Sequence, residues 1–167
     1  MKKLIKELYP YVVIVVVVVL FRTFIATPVR VDGDSMNDTL HNNDILILNK
    51  LDKNYDRFDV VVIDYNNSKL VKRIIGLPGE SISYKDNELY INGEKTNDID
   101  TSRTSDFSLE ELYAIEKIPD DYYFVMGDNR GNSLDSRDYR VGLIKKENII
   151  GTTIFRLFPF NKIGTVK

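Results

Sequence analysis

The hydrophobic positions form one long run near the N-terminus and several short runs further along. Residues 11–21 are apolar without a break, and the segment extends to Leu8 on one side and Ala26 on the other. A helix of this length, at ~1.5 Å rise per residue, is roughly 28 Å long and matches the hydrocarbon layer of a bilayer. Valine also favours strands, but buried strands usually run only ~4–8 residues. The pattern therefore predicts a membrane helix rather than a buried parallel strand.

The flanks of this run leave a cleaved signal peptide as an alternative, because three lysines (positions 2, 3 and 6) precede it. Cleavage after Ala26 would place Phe24 where a small residue is needed, and Pro28 follows closely. We therefore expect an uncleaved anchor.

The lysines also predict the topology, since positive charge stays on the cytoplasmic side. We expect residues 1–27 to form a cytoplasmic tail and a single membrane-spanning anchor in the cell membrane. Residues 28–167 would form an extracytoplasmic β-rich domain, and the lipid bilayer would be a partner of the anchored chain.

The rest of the chain alternates short β-rich runs with turn residues. The predicted strands are residues 44–48, 59–63, 69–75, 81–84, 89–91, 122–126 and 152–157. A polar insertion at about 96–121 interrupts them, and Ser108 and Glu111 in it have capping-box spacing, which predicts a helix over 109–116. The predicted fold class is mainly β: an antiparallel, partly barrel-like core with a small α/β insertion on one transmembrane helix.

Composition excludes several chemistries. With 23 Lys+Arg against 25 Asp+Glu the net charge is −2, so there is no basic field for nucleic acid, and we expect no nucleic-acid partner. Cysteine is absent and His41 is the only histidine. Thiol chemistry and multi-histidine metal sites are therefore excluded, and we expect neither a metal nor a cofactor.

Ser35 is the best candidate nucleophile, although a serine in such a loop is more often a turn residue. It follows Gly33 and Asp34 and precedes Met36, and a glycine there permits a tight turn beside free backbone N–H groups. A serine needs a base. His41 resembles a turn residue, which leaves a lysine as the other option.

Lys72 lies in an apolar strand, where a lysine can lose its proton more easily. It shares a strand face with Leu70 and Ile74, and Arg73 lies on the opposite face. At least one of the two cations should be partly buried. The alternative is that Lys72 extends its charge to solvent at a sheet edge.

Residues 127–138 follow an apolar strand and combine aspartates, arginines, asparagines and serines at high density. Such a density predicts a fixed hydrogen-bond network around a site. A solvated polar loop is an equal alternative, and a calcium loop lacks the EF-hand spacing and its terminal glutamate.

Taken in order, these segments resemble the bacterial type I signal peptidases, which are membrane-anchored serine proteases. The resemblance covers the anchor and almost all of the chain after it. The matching segments are residues 21–24, 33–36 with 39–40, 57–62, 71–80, 127–137 and 155–160. Those at 72–79 and 127–137 are long and specific.

The resemblance implies a dyad in which Ser35 is the nucleophile and Lys72 its general base. Ser133 would orient the lysine, and Asp128, Asp135 and Arg137 would hold the site by charge-assisted bonds. Gly33, Asp34 and Met36 would belong to the oxyanion and substrate loop. The implied substrates are secreted preproteins, cut through an acyl-enzyme after small-x-small sequences such as Ala-x-Ala.

The sequence departs from the family pattern at two positions. Asn37-Asp38 occupy the place of a family proline motif, so the rigidity of the loop after Ser35 is open. Gly33 stands where some members carry an oxyanion-stabilising serine, which leaves backbone N–H groups for that role.

Two other functions stay open. One is a specialised or non-catalytic homologue in pilus assembly, with pilus or other surface proteins as partners. The other is a self-cleaving repressor-type Ser-Lys protease, against which the apolar N-terminal run argues.

Overall fold

The structure, a computed structural model, describes residues 2–99 and 103–166. The chain begins with helix α1 (Lys2–Phe24). Its segment Lys6–Phe24 has a mean hydropathy of 1.9 and is long and apolar enough to cross a membrane. Its side chains make no buried contact with the rest of the described protein, so the apolar run is exposed on all sides.

Twelve strands and one further α-helix follow among the described residues. In chain order they are β1 (Ala26–Arg30), β2 (Ile45–Asn49), β3 (Val60–Tyr65), β4 (Ser68–Gly76), β5 (Ile82–Lys85), β6 (Glu88–Ile91), β7 (Glu94–Thr96), β8 (Phe107–Ser108), α2 (Leu109–Tyr113), β9 (Tyr122–Met126), β10 (Ile144–Lys145), β11 (Ile149–Phe158) and β12 (Gly164–Thr165). Two short 3-10 helices, Lys146–Asn148 and Phe160–Lys162, flank β11.

The strands form two sheets. The larger sheet has the order β1-β2-β11-β3-β4-β9-β10, with β12 on the end of β11, and the smaller has the order β7-β6-β5-β8. Every pairing among the described strands is antiparallel, which confirms the predicted fold class. All seven predicted strands are present within a few residues of their predicted ends.

The differences from the predicted elements have local causes. The apolar segment was extended to Ala26, but α1 ends at Phe24 and Ala26 starts the edge strand β1. Helix α2 is shorter than predicted because Ala114 adopts a left-handed conformation at its C-cap. The predicted capping box between Ser108 and Glu111 is confirmed by both of its hydrogen bonds.

The smaller sheet begins at Ile82, and its strands and α2 lie between β4 and β9 in the chain, a segment that we call the excursion. The predicted insertion at about 96–121 falls in its later part, and residues 100–102 of that prediction lie outside the described residues. Apolar side chains from both sheets meet in one core. It contains Ile75, Phe124 and Met126 of the larger sheet, with Tyr84 and Phe107 of the smaller one. The rings of Phe107 and Phe124 stack at 5.6 Å across the junction. Burial of aromatic surface on this scale fixes the two sheets against each other.

Candidate active site

Lys72 is buried in the middle of the larger sheet. It lies on β4 opposite Val61 of β3, with Leu70 and Ile74 as its neighbours on the same strand face. Its side chain is 2 % exposed. Burial is the largest influence on this amine and lowers its pKa to about 8, although the carboxylate of Asp135 opposes the shift. A lysine in this environment can exchange its proton near neutral pH.

Ser35 reaches this amine from the loop between β1 and β2. The Lys72 Nζ atom donates a hydrogen bond of 2.6 Å to the Ser35 Oγ atom. Gly33 has φ +96°, which places the loop in a conformation that favours glycine. Met36 and Leu40, on either side of the departure at Asn37-Asp38, are buried in one apolar cluster. Packing therefore anchors the loop where the family proline motif is missing.

The single histidine takes no part in this contact. His41 lies in a turn, where its backbone N–H donates to the Asp44 carboxylate at 3.2 Å. Its Nδ1 atom is buried without a hydrogen-bond partner among residues 2–99 and 103–166. The group bonded to the Ser35 hydroxyl is the lysine.

Arg73 is also buried and forms the ion pair that supports the site. Its Nε and Nη2 atoms donate to the two oxygens of Asp128 at 2.8 and 2.7 Å. Its Nη1 atom donates to the Phe58 carbonyl at 2.8 Å, and Nη2 also reaches the Thr39 hydroxyl at 3.3 Å. The arginine thus connects β4, the loop between β1 and β2 that carries Ser35 (the serine loop) and the loop after β9. Both predicted cations of this strand are buried, one on each face.

A second carboxylate is held by an arginine of its own loop. Arg137 donates to both oxygens of Asp135 through Nε and Nη2, at 2.9 and 2.8 Å. The backbone N–H of Gly127 adds a third bond to Asp135 at 3.0 Å. Burial is the largest single influence and would raise the pKa of this carboxyl, but Arg137, the Gly127 N–H and Ser133 together outweigh it, and the net shift of the pKa is downward. Asp135 therefore stays ionised beside the lysine.

Asn129 links this loop directly to the nucleophile segment. Its backbone N–H donates to the Ser35 carbonyl at 3.0 Å, and its side-chain Nδ2 donates to the Asp34 carbonyl at 3.1 Å. The two backbone segments approach so closely that a Cβ on Gly127 would lie 2.3 Å from the Ser35 carbonyl oxygen. No larger residue fits there without displacing backbone. The sequence included Asn129 in a motif but gave no sign of this contact.

Ser133 lies beside Gly127 at the same point. A Cβ on that glycine would come within 2.2 Å of its Oγ atom. The hydroxyl is buried, and its interaction with the Asp135 carboxylate contributes to the lowered pKa of that group. Its orientation of the lysine stays a prediction.

Arg156 of β11 supports the serine loop from its far end, and sequence reasoning did not find this role. Its Nη2 atom donates to the Thr39 carbonyl at 2.7 Å, and its Nη1 atom lies 3.4 Å from the Asp44 carboxylate. The only sequence signal was an arginine in an otherwise apolar strand.

A serine hydroxyl bonded to a buried lysine, on an antiparallel β fold whose neighbouring loop holds Asp128 and Asp135 in arginine pairs, is the arrangement expected of a serine hydrolase. The comparisons with known proteins agree with this class. Residues 2–158 match the family described as signal peptidase, peptidase S26.

The similar proteins are signal peptidases. The chain is 41 % identical over 165 residues to "Signal peptidase I" of Bacillus amyloliquefaciens, covering 93 % of this chain and 89 % of the relative. It is 43 % identical over 162 residues to "Signal peptidase I S" of Bacillus subtilis, covering 91 % and 88 %. A crystal structure of a signal peptidase I from Enterococcus faecalis superposes with a TM-score of 0.53 at 36 % identity, covering 59 % of this chain and 96 % of that one.

The chain therefore belongs to the S26 family of signal peptidases. This confirms the resemblance found in the sequence and makes the chain a membrane-associated signal peptidase I, a serine peptidase. Neither the pilus-assembly homologue nor the repressor-type protease is supported by these relatives.

Proposed function

We propose that this protein removes signal peptides from secreted preproteins with Ser35 as nucleophile and Lys72 as general base. The observation that carries the proposal is the 2.6 Å hydrogen bond between Nζ and Oγ. The amine is buried and its pKa is lowered to about 8, mainly by desolvation. A substantial fraction of such an amine is neutral at physiological pH and able to accept a proton.

The reaction then proceeds in two halves. Neutral Lys72 takes the Ser35 proton as Oγ attacks the scissile carbonyl, and the resulting ammonium returns that proton to the leaving amine. In the second half the neutral amine takes a proton from water, whose oxygen attacks the ester carbonyl. The ester bond to Oγ breaks, and the ammonium protonates the departing serine oxygen.

The oxyanion of each tetrahedral intermediate needs backbone donors. The N–H of Gly33 already donates to the Asn42 side chain at 3.3 Å. We therefore assign the principal oxyanion donor to the N–H of Ser35 itself. The Asp34 carbonyl, which belongs to the same peptide group, accepts a hydrogen bond from Asn129, and buried Met36 anchors the residue after Ser35.

The substrate backbone would bind at an open strand edge. Strand β9 pairs only with Arg73, Ile74 and Gly76 of β4, which leaves residues 68–72 unpaired on that side among the described strands. An extended peptide can add to such an edge and reach the adjacent dyad.

The apolar surface beside this edge would select the side chains of the substrate that precede the cleaved bond. Val71 is half-buried and packs against two apolar clusters, one containing Val31 and the other Val29. We therefore expect the substrate side chains to lie against this packed apolar surface in shallow pockets. Shallow apolar pockets favour small side chains, as in an Ala-x-Ala site.

The anchor would hold this site at the membrane. We infer that α1 spans the bilayer with its lysine-flanked N-terminus in the cytoplasm and the catalytic domain outside. Lys50 at the end of β2 donates to the carbonyls of Thr23 and Arg22 at 3.2 and 3.4 Å, which joins the helix exit to the larger sheet. Lipid contact would confine enzyme and substrate to one plane. The same chemistry would serve precursors of pilus or other surface proteins.

The test is cleavage of an Ala-x-Ala signal-sequence peptide by the full chain in detergent micelles. We expect the rate to rise with pH through about 8, because only neutral Lys72 can accept the proton. Ser35→Ala should abolish cleavage and keep the folded-state circular dichroism spectrum. Normal processing by Ser35→Ala would refute the assigned nucleophile.

A further inference from the structure

Arg130 lies in the loop that supports the dyad, but its guanidinium contacts Tyr84 of the smaller sheet and Asp98 of the segment after it. Its guanidinium is completely buried. The Nη1 atom donates to the Tyr84 hydroxyl at 2.7 Å, and the Nη2 atom lies 2.8 Å from the Asp98 carboxylate. The Tyr84 hydroxyl in turn donates to Asp98. These three side chains close a hydrogen-bonded network of one cation, one carboxylate and one phenol.

The network is fixed within the smaller sheet. The Tyr84 ring packs on Phe107 at 5.2 Å between centroids, and Phe107 stacks on Phe124 of β9. The Arg130 guanidinium carbon lies 5.6 Å from the centre of the Tyr84 ring. A buried arginine held by a phenol, a carboxylate and a ring has little freedom to move.

The two residues before Arg130 hold the active site. Asp128 pairs with Arg73, and Asn129 bonds the carbonyls of Asp34 and Ser35. The Arg130 N–H donates to the Asp128 carbonyl at 2.9 Å, so the three residues form one tight turn. A displacement of the Arg130 backbone must therefore move Asn129 relative to Ser35.

Helix α2 makes a second contact to the same loop. The Tyr113 hydroxyl donates to the Ser136 carbonyl. Ser136 is bonded to Val125 of β9 through both its N–H and its hydroxyl. The loop is thus held to the excursion near both of its ends.

We propose that Arg130 is a positioning residue for the nucleophile, acting through Asn129 and anchored by Tyr84 and Asp98 in the smaller-sheet excursion. The inference rests on the proposed Ser35–Lys72 function and extends it. The smaller sheet, which contributes no group to the dyad, would set the distance between Ser35 and Lys72. A misplacement of about 1 Å at a reacting group can cost about 100-fold in rate.

The experiment measures kcat, KM and the pH–rate profile of the full chain in detergent with an Ala-x-Ala peptide. Tyr84→Phe removes one hydroxyl and keeps the ring in the core, and Asp98→Asn removes the charge with nearly equal volume. We expect each variant to lower kcat by about 10- to 100-fold with KM little changed. The rising limb of the profile should move to higher pH, because a displaced serine loop admits water beside Lys72.

A double-mutant cycle separates positioning from simple structural support. Asn129→Ala removes the side-chain bond to Asp34, and we expect its loss in kcat to be less than additive with that of Tyr84→Phe. Arg140→Gln is the matched control, because its exposed pair with Asp138 lies at the other end of the same loop. It should keep the wild-type kcat and profile.

The outcomes distinguish this inference from the proposed function. If the wild-type chain fails to cleave the peptide, the proposed function is refuted. If the wild type cleaves it, but Tyr84→Phe and Asp98→Asn keep the wild-type kcat and pH profile, the role of Arg130 alone is refuted. Additive losses in the cycle with Asn129→Ala would also overturn it.

Discussion

Helix α1 and strand β4 both break the rule that apolar side chains are buried and charged ones exposed, but in opposite ways. In α1 the large apolar side chains face outward, with Tyr11 67 % exposed and Val15 60 % exposed. In β4 two adjacent cations are inside, with Lys72 2 % and Arg73 0 % exposed. Exposed apolar surface and buried charge are each costly in a water-soluble domain.

The difference shows how each departure is compensated. The surface of α1 has no partner within the described protein, so a bilayer is the compensation we propose for it. The two buried cations of β4 are compensated inside the protein: Arg73 pairs with Asp128, and Lys72 bonds to the Ser35 hydroxyl. The first segment depends on its surroundings, and the second on residues distant in the chain.

The largest effect is expected at the buried amine. Lys72→Arg keeps a cation in β4 but removes the base, because an arginine stays protonated at every accessible pH. Cleavage of the Ala-x-Ala peptide should fall at least about 1,000-fold. Steady-state kinetics would measure it, with Lys69→Arg on the exposed part of the same strand as the control. Near-normal activity in Lys72→Arg would contradict the general-base role.

The next largest effect is a loss of stability when the ion pair between Arg73 and Asp128 is broken. Asp128→Asn leaves a fully buried guanidinium without its carboxylate, and breaking such a pair costs about 3–5 kcal/mol. We expect the free energy of unfolding in urea to fall by this amount. The exposed pair of Arg140 and Asp138 supplies the comparison, since Asp138→Asn should have little effect. Equal stability of the two variants would show that burial does not decide the strength of these pairs.

A smaller effect follows from the protonation of Lys72. Its pKa is about 8 in the folded chain and 10.5 as the ordinary value, so the unfolded chain binds more protons between these pH values. The stability contributed by this group therefore rises with pH over that window, by roughly 3 kcal/mol in total. Below pH 8 the buried ammonium is destabilising.

Lys72→Met tests this linkage, because it removes the charge and keeps the length of the side chain. We expect the variant to gain stability relative to wild type at pH 7, and to lose that gain between pH 8 and 10.5. Urea unfolding at several pH values would measure it. A difference between the two proteins that does not change with pH would argue against a lowered lysine pKa.

The smallest effect on the catalytic domain is expected from α1. Val16→Lys places a charge in the middle of the proposed span, which costs about 2.5–3.5 kcal/mol of insertion free energy. The protein should shift from the membrane to the soluble fraction, while the unfolding temperature of the β domain stays unchanged because Val16 makes no buried contact. Val16→Leu is the control. A lowered unfolding temperature would show that α1 packs on the domain.

Much of the fold could be predicted because its signals are local. Seven of the twelve described strands (β2–β6, β9 and β11) follow from apolar runs between turn residues, and the start of α2 follows from the spacing of Ser108 and Glu111. The two-residue strands β8, β10 and β12 carry no such pattern, since their pairing depends on the strand beside them. The end of α2 at Tyr113 was also missed, because the left-handed conformation of its C-cap residue Ala114 has no sequence signature.

The sequence by itself determined that one helix must find an apolar surrounding, and that a strand carrying two adjacent cations must bury at least one of them. Periodicity and side-chain chemistry decide these points within a few residues. The tertiary structure alone decided that the hydroxyl of Ser35 meets the amine of Lys72, and that Asn129, Arg130 and Arg156 hold it there. Contacts between segments far apart in the chain depend on how the two sheets and their loops pack, and no local pattern records that arrangement.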